Sequence, residues 1–167
     1  MIEPKIKKYD LEFLSLYARD DTDMVVVHHT GNPWDDDLSA EDIHRSHQAQ
    51  GWSGCGYHYI IRKDGQIEQG RPEWAIGSHA LGENWHTIGI HVCGNFEIAV
   101  PTDAQIESLA YLIGWICEKY DIIPNSDHVV GHRDLMATAC PGEELYNMMQ
   151  TIRGKSIWYQ QHYQGGD

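Results

Sequence analysis

The run Met24-Val25-Val26-Val27-His28-His29 constrains this chain more than any other stretch. Its apolar residues are β-branched and consecutive, and successive strand residues point to opposite faces of a sheet. A strand that is apolar on both faces must be covered on both, which predicts a central, buried strand. Covering it requires helices, and the helix signals are present. Ser39 is placed to cap a helix running to about Ala49, on which His44 and His47 are surface neighbours. Thr102 and Gln105 stand in capping-box positions ahead of a stripe of Ile106, Leu109, Ala110, Ile113 and Cys117, which predicts a long helix ending near Tyr120. Residues 142–152 predict a last helix, with Gly154 placed to stop it. Asp10 is placed to cap a short helix over residues 11–18, with Leu11, Leu14 and Tyr17 or Ala18 on one face. Residues 57–63 and 66–69 predict a hairpin about a two-residue Asp64-Gly65 turn. Residues 88–93 and Val129-Val130 predict further short strands. Strands alternating with helices predict the α/β class: one domain with a central mixed β-sheet flanked by helices. The boundaries expected are an N-terminal segment with its short helix over 1–23, the domain proper over 24–153, and a tail over 154–167.

A chain of 167 residues is long enough for one such core. Its 12 Lys and Arg against 25 Asp and Glu leave a net charge of −13. That argues against nucleic acid, whose binding depends on phosphate neutralisation, and against electrostatic adhesion to an anionic surface. No apolar run approaches the roughly 18 residues that a membrane span would need. The polar start, with Lys5, Lys7 and Lys8, is not followed by a secretory-signal pattern. The four cysteines are widely spaced and lack a Cys-x-x-Cys pair, so a dense disulfide framework is not expected.

Three places offer metal ligands. His28-His29 ends the first strand, His132 follows Val129-Val130-Gly131, and Cys140 precedes Pro141-Gly142. Imidazole and thiolate are donors that zinc prefers, and three protein ligands leave a fourth position for water, the pattern of a catalytic site. Alternation lets one of His28 and His29 face such a site, and periodicity does not choose between them. Each of these residues also has a plainer reading. A histidine doublet can divide between core and surface, and a cysteine before proline can simply be buried. Tyr57 at a strand start reads as core, and His79 in a Gly-rich loop as surface. His44 and His47 read as surface or supporting groups. Trp34, Trp52, Trp74 and Trp85 could line a sugar groove, but each reads first as packing.

Several blocks occur in a telling order: Val27-His28-His29-Thr30, Gly51-Trp52-Ser53-Gly54-Cys55-Gly56-Tyr57-His58-Tyr59, Gly77-Ser78-His79-Ala80 with Asn84, Ile88-Gly89-Ile90, and Gly131-His132-Arg133-Asp134 through Thr138-Ala139-Cys140-Pro141-Gly142. Over about residues 24–153 the chain resembles the type 2 N-acetylmuramoyl-L-alanine amidases, which include amidase-type phage lysozymes and peptidoglycan recognition proteins. The resemblance implies a zinc ion held by His28, His132 and Cys140 beneath a surface groove. It implies that Tyr57 assists catalysis and that Thr138 occupies a position held by Lys or Thr in the family. It places His79 and Asn84 in the substrate-groove region. His91, standing where wall-recycling relatives carry Glu, is a further candidate on the substrate side and for relaying a proton. Those relatives also carry Asp in place of Cys140, so this chain sits nearer the phage and recognition-protein branch. The implied reaction is hydrolysis of the amide joining N-acetylmuramic acid to L-alanine in peptidoglycan, by a monomer with no nucleic-acid or membrane partner. Action on the bacterial cell wall would then follow phage-type lysis or non-classical export. Two rivals stand beside this reading. One is a recognition module that binds without cutting, against which Cys140 and Tyr57 both argue. The other is a metal-free hydrolase with Cys140 as nucleophile and a histidine as base.

Overall fold

The computed structural model describes residues 1–165. The Met24–His29 run is strand β2 and lies inside a six-stranded sheet of order β1-β4-β3-β5-β2-β6. The other strands are β1 Ile6–Lys7, β3 Tyr59–Ile61, β4 Ile67–Gln69, β5 Thr87–Val92 and β6 Val129–Gly131. The β3–β4 pair is antiparallel and the remaining pairs are parallel. Val25, Val27, Ile88 and Ile90 bury one face against helix α2, Asp103–Lys119, and helix α4, Met149–His162. The opposite face carries Ile60 and Cys93 beneath helix α1, Ala40–Ala49. No described helix is long and apolar enough to cross a membrane.

The helix starts follow their local signals. Ser39 caps α1 in a reciprocal box with Asp42, and Thr102 caps α2 with Gln105. Other expectations need correction. Residues 11–18 form no helix. Leu14 and Tyr17 are 80% and 71% exposed, so the supposed apolar stripe has nothing to bury against. The segment is instead an extended strap whose backbone bonds go to distant partners: Leu14 N–H to the Ser53 carbonyl, Ile76 N–H to the Tyr17 carbonyl and Arg19 N–H to the Trp74 carbonyl. Upstream of it, Ile6–Lys7 pairs with β4 as an edge strand. The hairpin turn holds three residues, Lys63 to Gly65, between paired Arg62 and Gln66, with Gly65 at φ +87°. At the far end, Gly142 opens a single turn, α3, Glu143–Tyr146, and α4 then runs through Gly154 to His162. One exposed helical glycine costs only about 1 kcal/mol. The bonds that hold α4 to α2 offset that cost: Ser156 Oγ donates to the Ala110 carbonyl and Gln160 Nε2 to the Gly114 carbonyl. The expected tail is therefore helix over most of its length.

Parallel register positions the site. Val27 pairs with Gly131 and His28 with His91. The carboxyl ends of β2, β5 and β6 thus share one edge of the sheet, the usual place for ligands in α/β sheets.

Candidate active site

His28 is the fifth residue of β2 and is 1% exposed. Because Val27 pairs with Gly131, the residue after Gly131 emerges beside it, and the His28 and His132 rings lie 4.5 Å apart between centroids. Cys140 is drawn back by a bond from the Arg133 N–H to its carbonyl, which brings Sγ to 3.6 Å from His28 Nδ1. One donor atom from each of His28, His132 and Cys140 lies within 4.8 Å of the others, a group able to hold a metal ion. The alternation that sequence left open is resolved by the register. His28 faces the same side as His91 and Ile60. His29 turns to the other face, where Nδ1 accepts from the Phe96 N–H at 3.1 Å and the ring stacks on Phe96. The His29 backbone N–H still serves the site by donating to Cys140 Sγ at 3.4 Å.

Tyr57 is set by the two histidines of α1. His44 Nδ1 accepts from the Cys55 N–H and His47 Nδ1 from the Gly56 N–H, at 3.0 and 2.9 Å. Both residues are thus structural clamps, and His44 is 5% exposed where a surface position was one reading. The clamped segment delivers the Tyr57 ring to 5.1 Å from that of His28 and 4.7 Å from that of His91. Tyr57 lines a cavity of about 320 Å³ together with His28, His79, His132, Thr138 and Cys140. It also lines an adjoining groove of about 590 Å³ with Trp52, His79, Asn84, His132 and Met136. Thr138 Oγ1 accepts from the Cys140 N–H at 3.3 Å.

Other predicted residues take positions that sequence did not specify. Asn84 lines the groove, but its Oδ1 is occupied by the His79 and Ala80 N–H groups, both at 2.9 Å. His91 is 2% exposed and lies beneath Tyr57 rather than along the groove. Its Nε2 is bonded to Thr30 Oγ1 while its buried Nδ1 has no hydrogen-bond partner among the described residues. The four tryptophans read as packing are all exposed, and Trp52 forms part of the groove wall. Thr87 and Met136, which touch His79 and His132, carried no sequence signal.

Burial controls the charges here. It pushes the Cys140 thiol up to about 12, against the lowering by the His29 N–H and Arg133. Such a thiol is protonated at neutral pH and is a poor nucleophile unless a cation draws the proton off, which counts against the metal-free cysteine hydrolase. Burial also raises the Tyr57 hydroxyl above its ordinary range, so it stays a donor. Burial holds imidazoles neutral: His28 and His79 well below 6.5, His29 and His47 at about 4, His58 and His91 at about 3.

These histidines make acid lability an expected property. Their folded values lie below the unfolded value near 6.5, so below that pH the unfolded chain binds more protons than the fold. The stability is fully present above about pH 6.5 and is lost as pH falls, each such ring contributing at most about 1.4 kcal/mol per pH unit. For His58 and His91 the window reaches down to about 3. His86 opposes the trend: burial lowers it, but the Glu83 and Asp23 carboxylates raise it further. Melting temperature measured on metal-free protein should be level above neutrality and drop steeply towards pH 5. A flat profile across that range would show that the rings are not held neutral.

The N-acetylmuramoyl-L-alanine amidase family matches residues 18–143. The chain belongs to this family. It is 34% identical over 132 residues to the endolysin of Escherichia phage T7, covering 76% of this chain and 85% of that one. It is 31% identical over 110 residues to the human N-acetylmuramoyl-L-alanine amidase, covering 65% of this chain but 19% of that longer protein. Among solved structures, the N-acetylmuramoyl-L-alanine amidase LysC from Clostridium intestinale URNW superposes with a TM-score of 0.83 at 36% identity, covering 92% of this chain and 97% of the other.

Proposed function

We propose that this amidase-family chain hydrolyses the bond between N-acetylmuramic acid and L-alanine in bacterial peptidoglycan, using zinc held by His28, His132 and Cys140. The observation that carries the reading is the convergence of those three donors in one cavity beside the groove, in a chain of this family. Two imidazoles and one thiol fit zinc, and a set of three leaves a position open. Zinc bound there would polarise the scissile carbonyl and lower the pKa of a coordinated water to about 7.

The protein's own groups do the rest. Tyr57, kept protonated by burial, donates a hydrogen bond to the carbonyl oxygen as charge gathers on it. Thr138 borders the same cavity and supports the same oxygen or orients water. Trp52 and Met136 offer apolar wall to the glycan or stem peptide. With a net charge of −13 the protein gains little from attraction to an anionic wall, so shape and hydrogen bonds carry recognition. Action at the bacterial cell wall, on peptidoglycan or soluble muropeptides, follows from this reaction.

Digesting purified peptidoglycan and identifying products by mass spectrometry tests the reading. New free L-alanine amino termini with intact glycan strands are expected, with close to one zinc per chain and loss of activity on chelation. Cleavage elsewhere in the polymer, or full activity in chelator with no metal bound, would overturn it.

A further inference from the structure

Each imidazole of the metal centre has a second nitrogen, and for His28 the partner of that nitrogen has a determinable chemistry. The Thr87 hydroxyl donates its single proton to the Glu83 carbonyl at 2.8 Å. Towards His79 Nε2, 3.2 Å away, Thr87 Oγ1 can therefore only accept. His79 Nε2 thus carries its ring's proton, and His79 Nδ1 presents a lone pair. That lone pair is 2.9 Å from His28 Nε2, which must be the donor. The proton of His28 is then held on Nε2, and Nδ1 is left bare at the position 3.6 Å from Cys140 Sγ.

We infer that His79 is a positioning residue for the metal: the relay from the Glu83 carbonyl through Thr87 and His79 fixes the one His28 tautomer able to bind a metal through Nδ1. The inference rests on the zinc reading above. It goes beyond the placing of His79 among substrate-groove residues. The relay is rigidly built. Thr87 is fully buried and His79 is 9% exposed. The His79 ring lies against two glycines, where an added Cβ would come within 2.5 Å of it at Gly89 and 2.7 Å at Gly77. The Asn84 side chain holds the His79 and Ala80 amides from the other side. Ligand imidazoles are commonly oriented in this way, and loss of such a partner typically weakens metal binding about 10- to 100-fold.

The test uses metal-free full-length chain and reads zinc affinity by competition with a chromogenic chelator, alongside histidine-ring proton–nitrogen correlation spectra. The spectra should show His28 and His79 both protonated at Nε2 before metal is added. His79→Leu and Thr87→Val should each weaken zinc binding about 10- to 100-fold. His79→Asn places an acceptor oxygen where Nδ1 stands and should restore most of the affinity, as should Thr87→Ser. A His28 protonated at Nδ1 would overturn the inference. So would wild-type affinity in His79→Leu, or His79→Asn no better than His79→Leu. The wild-type spectra decide the matter even if His79→Leu does not fold. Failure of the wild-type chain to bind zinc would sink the zinc reading and this inference together. Zinc-loaded wild type with an indifferent His79→Leu would sink the inference alone.

Discussion

Alanine at position 28 is expected to empty the metal centre and reduce amidase activity to background, while alanine at position 29 leaves the metal in place. The two residues are adjacent and chemically identical, so the difference is purely one of strand geometry. His28 shares a face with His91 and Ile60 and sits 3.6 Å from the Cys140 thiol through Nδ1. His29 is turned through the sheet and spends its Nδ1 on the Phe96 amide. Losing His29 leaves a buried N–H unpaired, which costs about 1–3 kcal/mol. His29→Ala should therefore melt earlier than wild type and still bind zinc. A ligand that binds only the folded state raises the melting temperature. Added zinc should thus stabilise wild type and His29→Ala, but not His28→Ala or Cys140→Ala. Zinc analysis and melting curves on these variants suffice. The reverse pattern, with His29→Ala empty and His28→Ala filled, would move the ligand one residue along.

Tyr57→Phe is expected to separate turnover from binding. The hydroxyl is assigned to the transition state and not to the metal, and losing one such donor typically costs about 10²- to 10³-fold in turnover, roughly 3–4 kcal/mol. An interaction made only in the transition state lowers kcat and leaves substrate affinity nearly unchanged. The ring would keep its contacts with His28, His47 and His91, so the variant should remain folded and zinc-loaded. A tyrosine that merely packs makes the opposite forecast: a stability change of about 1 kcal/mol and unaltered turnover. Near-wild-type kcat would remove Tyr57 from the reaction.

Local patterns in the sequence determined local structure well. The doubly apolar run at 24–27 became a central strand because such a strand is stable only when covered on both faces. The two capping boxes started their helices because each satisfies its own terminal amides within three residues. The group of His28, His132 and Cys140, able to hold a metal ion, was legible through donor chemistry and motif resemblance, although preferring His28 to His29 took the resemblance. Tertiary structure decided wherever a group's partner lies far along the chain. Residues 11–18 became a strap because their backbone partners are Ser53 and Ile76, which no helical period reveals. α4 continued through Gly154 because α2 supplies contacts from 46 residues away. His91 went under Tyr57 and His79 onto Thr87 through cross-strand neighbours and a returning loop. Spacing records which side a residue takes within its own element, but a hydrogen-bond relay across several elements exists only once their register is set.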